Sequence, residues 1–202
     1  MKRFFKVLVF GFYAVCMVSA VSCSKEETFE IYTYSHNEIT DPRLLLNEDF
    51  NHGIPSSWTV IDADGDGFGW YMTSSVNLNW MTPKWQDCAC SPSYIGTVGP
   101  LTPDNYLISP KIHIEEGSVL SYQFCATSSE SNEHYSVLVG VVANGTFNPY
   151  ATIFSENASQ CDLTTRILSL NEWKGKDVSI AFRHHDCTNQ FWLCIDNVKV
   201  VR

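Results

Sequence analysis

The chain has 202 residues, enough for one domain of ordinary size with a tail and too few for a multidomain assembly. Hydrophobic residues make up 45% and charged residues 17%, so a packed core can form and global disorder is excluded. Twenty-two acids against thirteen Lys and Arg give a formal charge of −9, the wrong sign for a nucleic-acid partner, and an aromatic content of 13% with six Trp favours β-rich structure over helix bundles.

Lys2, Arg3 and Lys6 precede an uncharged run from Val7 to Val21, the layout of a secretory signal. At roughly 15 residues the run is shorter than the ~20 that a membrane-spanning helix needs. Ala20-Val21-Ser22-Cys23 resembles the lipobox of bacterial lipoproteins, whose cysteine is acylated and becomes the new N-terminus; Ala20 stands where Leu is usual. The resemblance implies a signal over 1–22, lipidation of Cys23 and membrane attachment through it. The alternative is an ordinary signal peptide with an incidental Cys. Ser24-Lys25-Glu26-Glu27 is similar to the charged tract that routes some lipoproteins to the outer face of the outer membrane, which implies surface exposure; as a mere solvated linker it leaves the domain in the periplasm. Removal of 1–22 leaves ten basic and twenty-two acidic residues, a net charge of −12.

Residues 23–43 are polar, poor in aliphatics and closed by Pro42, and they are expected to form a tether. From Leu44 on, short apolar or alternating runs are separated by Gly, Pro, Asn and Asp clusters, the pattern of an antiparallel β protein over 44–202. The predicted strands are Leu44–Phe50, Trp58–Ile61, Tyr106–Ser109, Ile112–Ile114, Val119–Ala126, Tyr135–Val142, Ala151–Phe154, Thr164–Leu170, Val178–His184 and Phe191–Val200. Such a set fits an all-β, jelly-roll β-sandwich of two antiparallel sheets. The weakly patterned stretch from Met72 to Pro103 is predicted to be a loop region, where binding surface is often found. Cys88, Cys90, Cys125, Cys161, Cys187 and Cys194 remain after Cys16 and Cys23, and an even number in an exported chain suggests disulfides, with fifteen connectivities open and buried thiols as the alternative.

Several separated phrases resemble the cleaved-adhesin domain family, also grouped with choice-of-anchor J domains and found in gingipain proteases and haemagglutinins. They are Asn47-Glu48-Asp49-Phe50-Asn51-His52-Gly53-Ile54-Pro55-Ser56-Ser57-Trp58, Ile61-Asp62-Ala63-Asp64-Gly65-Asp66-Gly67 with Trp70, Leu101-Thr102-Pro103-Asp104-Asn105-Tyr106-Leu107-Ile108-Ser109-Pro110, Glu133-His134-Tyr135, Ala181-Phe182-Arg183-His184 and Ile195-Asp196-Asn197-Val198. The resemblance covers about residues 44 to 201. It implies a jelly roll of the galactose-binding/MAM-like kind, structural Ca²⁺, no catalysis, and adhesion to an extracellular protein or glycan. Haemoglobin or haem binding, known for some members, is not carried over to a chain with six further cysteines and a lipid anchor.

Two sets of carboxylates are candidates for calcium. Asp62, Asp64 and Asp66 followed by Gly67 have the first half of an EF-hand loop, in which alternate oxygens converge on a hard cation; Thr73 stands where the closing Glu would be, and a solvated acidic turn is the alternative. Glu48 and Asp196 are suggested by the family's first and last strands, which lie side by side, with Asp49 and Asn197 as auxiliaries that cannot serve equally because strand neighbours point to opposite faces. Exposed edge acids are the alternative there. Trp80 and Trp85, in the long loop region, are the candidates for ligand contact, an indole face being suited to sugar stacking, whereas Trp58 and Trp192 are expected in the core.

His134, His184, His185, Asp186 and Cys187 suggest a nucleophile and base, or a metal site. Neighbours in a strand diverge, and no Gly-x-Ser-x-Gly or His-Glu-x-x-His phrase is present, so Arg183 and His184 are read as polar contacts of the sandwich or its loop end. The reading that results is a calcium-stabilised, surface-exposed lipoprotein adhesin. Its rivals are a carbohydrate-binding module for polysaccharide capture and, less well supported, a hydrolase.

Overall fold

The computed structural model describes residues 43–76, 87–159 and 161–202. The expected signal, Cys23, the tether up to residue 42, Trp80 and Trp85 lie outside the described residues. Within them run β1 (Leu44–Glu48), β2 (Thr59–Asp62), β3 (Tyr71–Met72), β4 (Ala89–Pro92), β5 (Tyr94–Ile95), β6 (Gly99–Pro100), β7 (Asn105–Ile108), β8 (Ile112–His113), β9 (Val119–Ala126), β10 (Glu133–Ala143), β11 (Thr146–Ala158), β12 (Thr164–Ser169), β13 (Asp177–His184) and β14 (Trp192–Val201). One sheet has the order β12-β9-β14-β4-β3, with β1 also on β14; the other has the order β11-β10-β13-β7-β2, with β8 on β13. The strands β5 and β6 form a small separate hairpin. Every pairing is antiparallel, as an all-β sandwich of two sheets requires.

The core follows from period-two alternation. On β9 the buried Leu120, Tyr122 and Phe124 face inward between partly buried Ser121 and Gln123, and on β13 the buried Val178, Ile180 and Phe182 face them from the other sheet. Tyr122 meets Phe182 edge-on with ring centres 4.9 Å apart, a geometry worth about 1 kcal/mol beyond the area buried. Both buried tyrosine hydroxyls find partners: Tyr122 bonds Tyr135 at 2.9 Å, and Tyr135 donates to Glu156 at 2.6 Å. Arg166 donates from Nε and Nη2 to the same carboxylate. Tyr122 and Arg166 belong to one sheet, Tyr135 and Glu156 to the other, so this polar chain ties the layers together. Trp58 and Trp192 are 6% and 5% exposed and buried as expected.

Three expectations need correction. The strand expected at Ala151–Phe154 extends over Thr146–Ala158, because Asn144 and Gly145 at φ 52° and 76° close a tight hairpin that carries the whole length of β10. The segment Met72–Pro103 is not a loop throughout: it holds β4, whose four residues are all buried and which pairs with both β14 and β3. No pair among the six cysteines lies at disulfide distance. Cys90, Cys194 and Cys125 instead lie opposite one another across β4, β14 and β9, and with Cys88 and Trp192 they form a second buried cluster.

The ends of the domain meet. Arg202 N donates to Arg43 O at 3.0 Å, and the Glu115 carboxylate lies 2.7 Å from Arg43 and 3.5 Å from Arg202.

Gly140 tests the packing of β10 on β11. A Cβ there would sit 2.8 Å from Pro149 Cα, and main chain cannot yield as a side chain can. Gly140→Ala is expected to cost about 1–3 kcal/mol, read as a midpoint lowered by several degrees in a thermal melt; an unchanged midpoint would show the close approach to be slack.

Candidate functional site

Two strands share one edge of β14. Its first half, Trp192 to Ile195, pairs with β4, and Val198 to Val201 pair with β1. Between the halves the register slips and Asn197 takes φ 49°, so β14 bulges where β1 ends and β4 begins. Carboxylates come to that gap from three directions: Glu48 and Asp49 at the end of β1, Asp87 just before β4, and Asp196 on the bulge. All four are partly buried. Glu48 and Asp196, expected to lie on neighbouring strands, do so: Glu48 stands opposite Val198, two residues from Asp196.

Burial pushes the Asp196 carboxyl up to about 6; the Asn197 amide opposes the shift, and the charges of Asp49, Glu48 and Asp87 add to it. The strongest charges acting on it are those three acids. Asn197 donates from N to Asp196 at 2.7 Å and from Nδ2 to Asp196 and Gln123, so its amide orients the acid. The Glu48 carboxylate accepts from Phe50 N at 2.8 Å. A set of carboxylate oxygens, crowded with negative charge and partly dry, fits a hard divalent cation. Glu48, Asp87 and Asp196, with Asp49 beside them, are the residues that could hold one. Asp87 escaped the reading of the sequence: it sits in a stretch without periodicity, and only the position of β4 places it here.

The loop after β2 brings Asp62, Asp64 and Asp66 together, one carboxylate oxygen from each within 4.8 Å of the others. Asp62 accepts from Gly65 N and Gly67 N, both at 2.8 Å, and Asp66 accepts from Phe68 N. The two glycines take φ 72° and 87°, conformations that a side chain would strain. The loop thus engages two of its carboxylates with its own amides. Loss of hydration, a hydrogen bond to Asp62 and the nearby charges push Asp64 up to about 6, leaving it as the acid most in need of a countercharge.

On the outer face and edge of the second sheet lies an open groove of about 420 Å³, lined by Ser57, Thr59, Ser109, Lys111, Asp177 and Ser179 among others. Its hydroxyls and one ion pair, Lys111 with Asp177 at 3.3 Å, suit polar contacts. At the far end of β13 the structure brings His184 and Cys187 to 3.2 Å, which the strand argument did not anticipate because Cys187 lies beyond the strand. Glu133 approaches the same ring nitrogen, Nε2, at 3.0 Å, so the acid does not orient the base from Nδ1 as in a nucleophilic triad. Burial and Glu133 push the Cys187 thiol up to about 12, away from nucleophile chemistry.

A family model described as the Cleaved Adhesin Domain matches residues 43–200. Hemagglutinin A of Porphyromonas gingivalis is 35% identical over 173 residues, covering 77% of this chain and 6% of that protein. Lys-gingipain W83 of the same organism is 33% identical over 171 residues, covering 77% of this chain and 10% of that protein. The chain therefore spans a tenth or less of these relatives. The solved K3 cleaved adhesin domain of Lys-gingipain from Porphyromonas gingivalis W83 superposes with a TM-score of 0.64 at 30% identity, covering 80% of this chain and 99% of that one. A carbohydrate-binding module, TmCBM61 in complex with beta-1,4-galactotriose, superposes at 0.53 with 11% identity over 79% of this chain and 99% of that one, which shows a shared fold.

An acid with a raised pKa binds its proton more tightly in the folded state, so its penalty is absent below about pH 4 and grows as pH rises toward about 6. Without calcium, Asp196→Asn is therefore expected to melt a few degrees above wild type at pH 7, with the gap closing by about pH 4. Thermal melts of the two proteins across that range are the measurement; a variant less stable than wild type at pH 7 would refute the crowding of charge at the junction.

Proposed function

Because the chain belongs to the cleaved adhesin domain family, we propose that it is a calcium-stabilised adhesin, carried as a lipoprotein on the outer surface of the outer membrane, whose domain binds an extracellular protein or glycan without catalysis. The observation that supports this most directly is the likeness to a whole adhesin domain, over nearly the full length of that domain and of the sandwich described here. The lipobox-like Ala20 to Cys23 and the acidic tract after it support the anchored, exposed location.

Calcium, when bound, supplies positive charge to offset the crowded carboxylates of the junction. Glu48, Asp87 and Asp196 would hold it, with Asp49 beside them, and Asp62, Asp64 and Asp66 are the second candidate set. Through Glu48 and Asp196 the first strand of the domain is joined to the last, so the ion's effect falls on the pairing that closes the fold. The surface so stiffened presents the groove beside Ser57, Thr59 and Ser179, while Trp80 and Trp85 remain candidates for ligand contact.

A second reading, polysaccharide capture, draws on the groove's hydroxyl groups and on the fold shared with the galactotriose-binding module. Capture of host extracellular proteins set beside a glycan panel, both with intact cells, separates the two; binding to neither, by cells whose domain is proven accessible to added protease, would defeat the adhesin reading. For the metal, calcium at a hundred times its dissociation constant is expected to add about 2.7 kcal/mol, several degrees in a melt against EDTA. Coincident melts would remove calcium from the account.

A further inference from the structure

A different set of side chains converges where the start of β10 meets the end of β13. Glu133 opens β10, His184 closes β13, and neither is accessible to solvent. Asp186, at φ 54°, turns the chain back after the strand, and Cys187 returns to the end of β13. Glu133 Oε2, His184 Nε2 and Cys187 Sγ then form a triangle with edges of 3.0, 3.2 and 3.5 Å. Around a tetrahedral cation with bonds of about 2.0 to 2.3 Å, the corresponding edges are about 3.3 to 3.7 Å. The three atoms need to part by only a few tenths of an ångström.

Their surroundings suit ligands. Ser93 Oγ donates to both Glu133 oxygens, and Phe191 N donates to Oε1, which holds that carboxylate in place. Ser91 Oγ lies 2.9 Å from His184 Nδ1 and accepts from Asn105 Nδ2, so the ring's other nitrogen has a fixed partner. Cys187 is only partly buried, leaving a side from which an ion and a fourth ligand can arrive.

We propose that Glu133, His184 and Cys187 form a binding site for a borderline divalent cation of the zinc class, distinct from the acidic junction. Imidazole and thiolate are poor partners for calcium and good ones for such an ion. One carboxylate, one thiolate and one neutral imidazole balance a dication, so the occupied centre is electrically neutral in a buried place. Starting from neutral His184 with its proton on Nε2, binding releases one proton, from the Cys187 thiol. The imidazole proton shifts to Nδ1 as the Ser91 hydroxyl rotates from donor to acceptor. The thiol's reluctance to ionise is overcome by the ion itself, which deprotonates a coordinating sulfur. The site does not depend on the adhesin reading and fails or stands separately.

The test is titration of the reduced, metal-stripped full chain with Co²⁺ and then Zn²⁺. The expected result is one equivalent of cobalt with a thiolate-to-cobalt charge-transfer band in the near ultraviolet, displaced by zinc and untouched by excess Ca²⁺. Cys187→Ser, whose fold is checked by melting, should lose the band. Ser91→Ala, which removes the partner of His184 Nδ1 and of Asn105 Nδ2 and whose fold is checked by melting, should weaken zinc binding about 10- to 100-fold, and Cys90→Ala should leave the band unchanged. A missing band, a band that survives in Cys187→Ser, loss of the band in Cys90→Ala, or displacement by calcium would each overturn the proposal.

Discussion

The fold depends on how β14 is held. One side of this strand is paired along its length with β9, while the other is shared between β4 and β1, which come from distant parts of the chain. A strand with two partners on one edge must have a gap between them, and the bulge at Asp196 and Asn197 is that gap. What gathers there is negative charge, from Glu48, Asp49, Asp87 and Asp196. The strand that completes the core therefore carries a local electrostatic penalty at its midpoint, and a hard cation is the simplest agent to relieve it. Sheet topology and the crowding of charge at the junction are thus two aspects of one arrangement.

How much of this was legible in the sequence depended on the face each residue shows. Val119–Ala126 was found to the residue because Leu120, Tyr122 and Phe124 alternate with more polar neighbours, as a strand with one buried face must. Ala89–Pro92 was missed because burial on both faces erases the alternation, leaving short, small residues that read as loop. Glu48 and Asp196 were reached only through resemblance to a family, since 147 intervening residues carry no periodic hint that they meet. Asp87 had no signal at all. His184 and Cys187 were kept apart by a rule valid inside a strand and applied beyond its end, where Asp186 turns the chain.

Two kinds of polar cluster lie in this small sandwich, and they differ in chemistry. The junction offers oxygen alone, partly wet and strongly negative. The set at Glu133 mixes oxygen, nitrogen and sulfur, with its carboxylate and imidazole fully enclosed. Hard and borderline ions are sorted by such differences in ligand type more than by affinity, so the two places need not compete for one ion. A third polar feature, from Arg166 through Glu156 and Tyr135 to Tyr122, satisfies itself and ties sheet to sheet.

The meeting of Arg43 with Arg202 over Glu115 has a mechanical meaning. A sandwich whose entry and exit stand side by side hangs from its polypeptide like a pendant, not like a link in line. Tension along a longer chain threaded through it would pass across the mouth and spare the hydrophobic interior. Such a bead can be spliced into proteins of very different length without being reshaped.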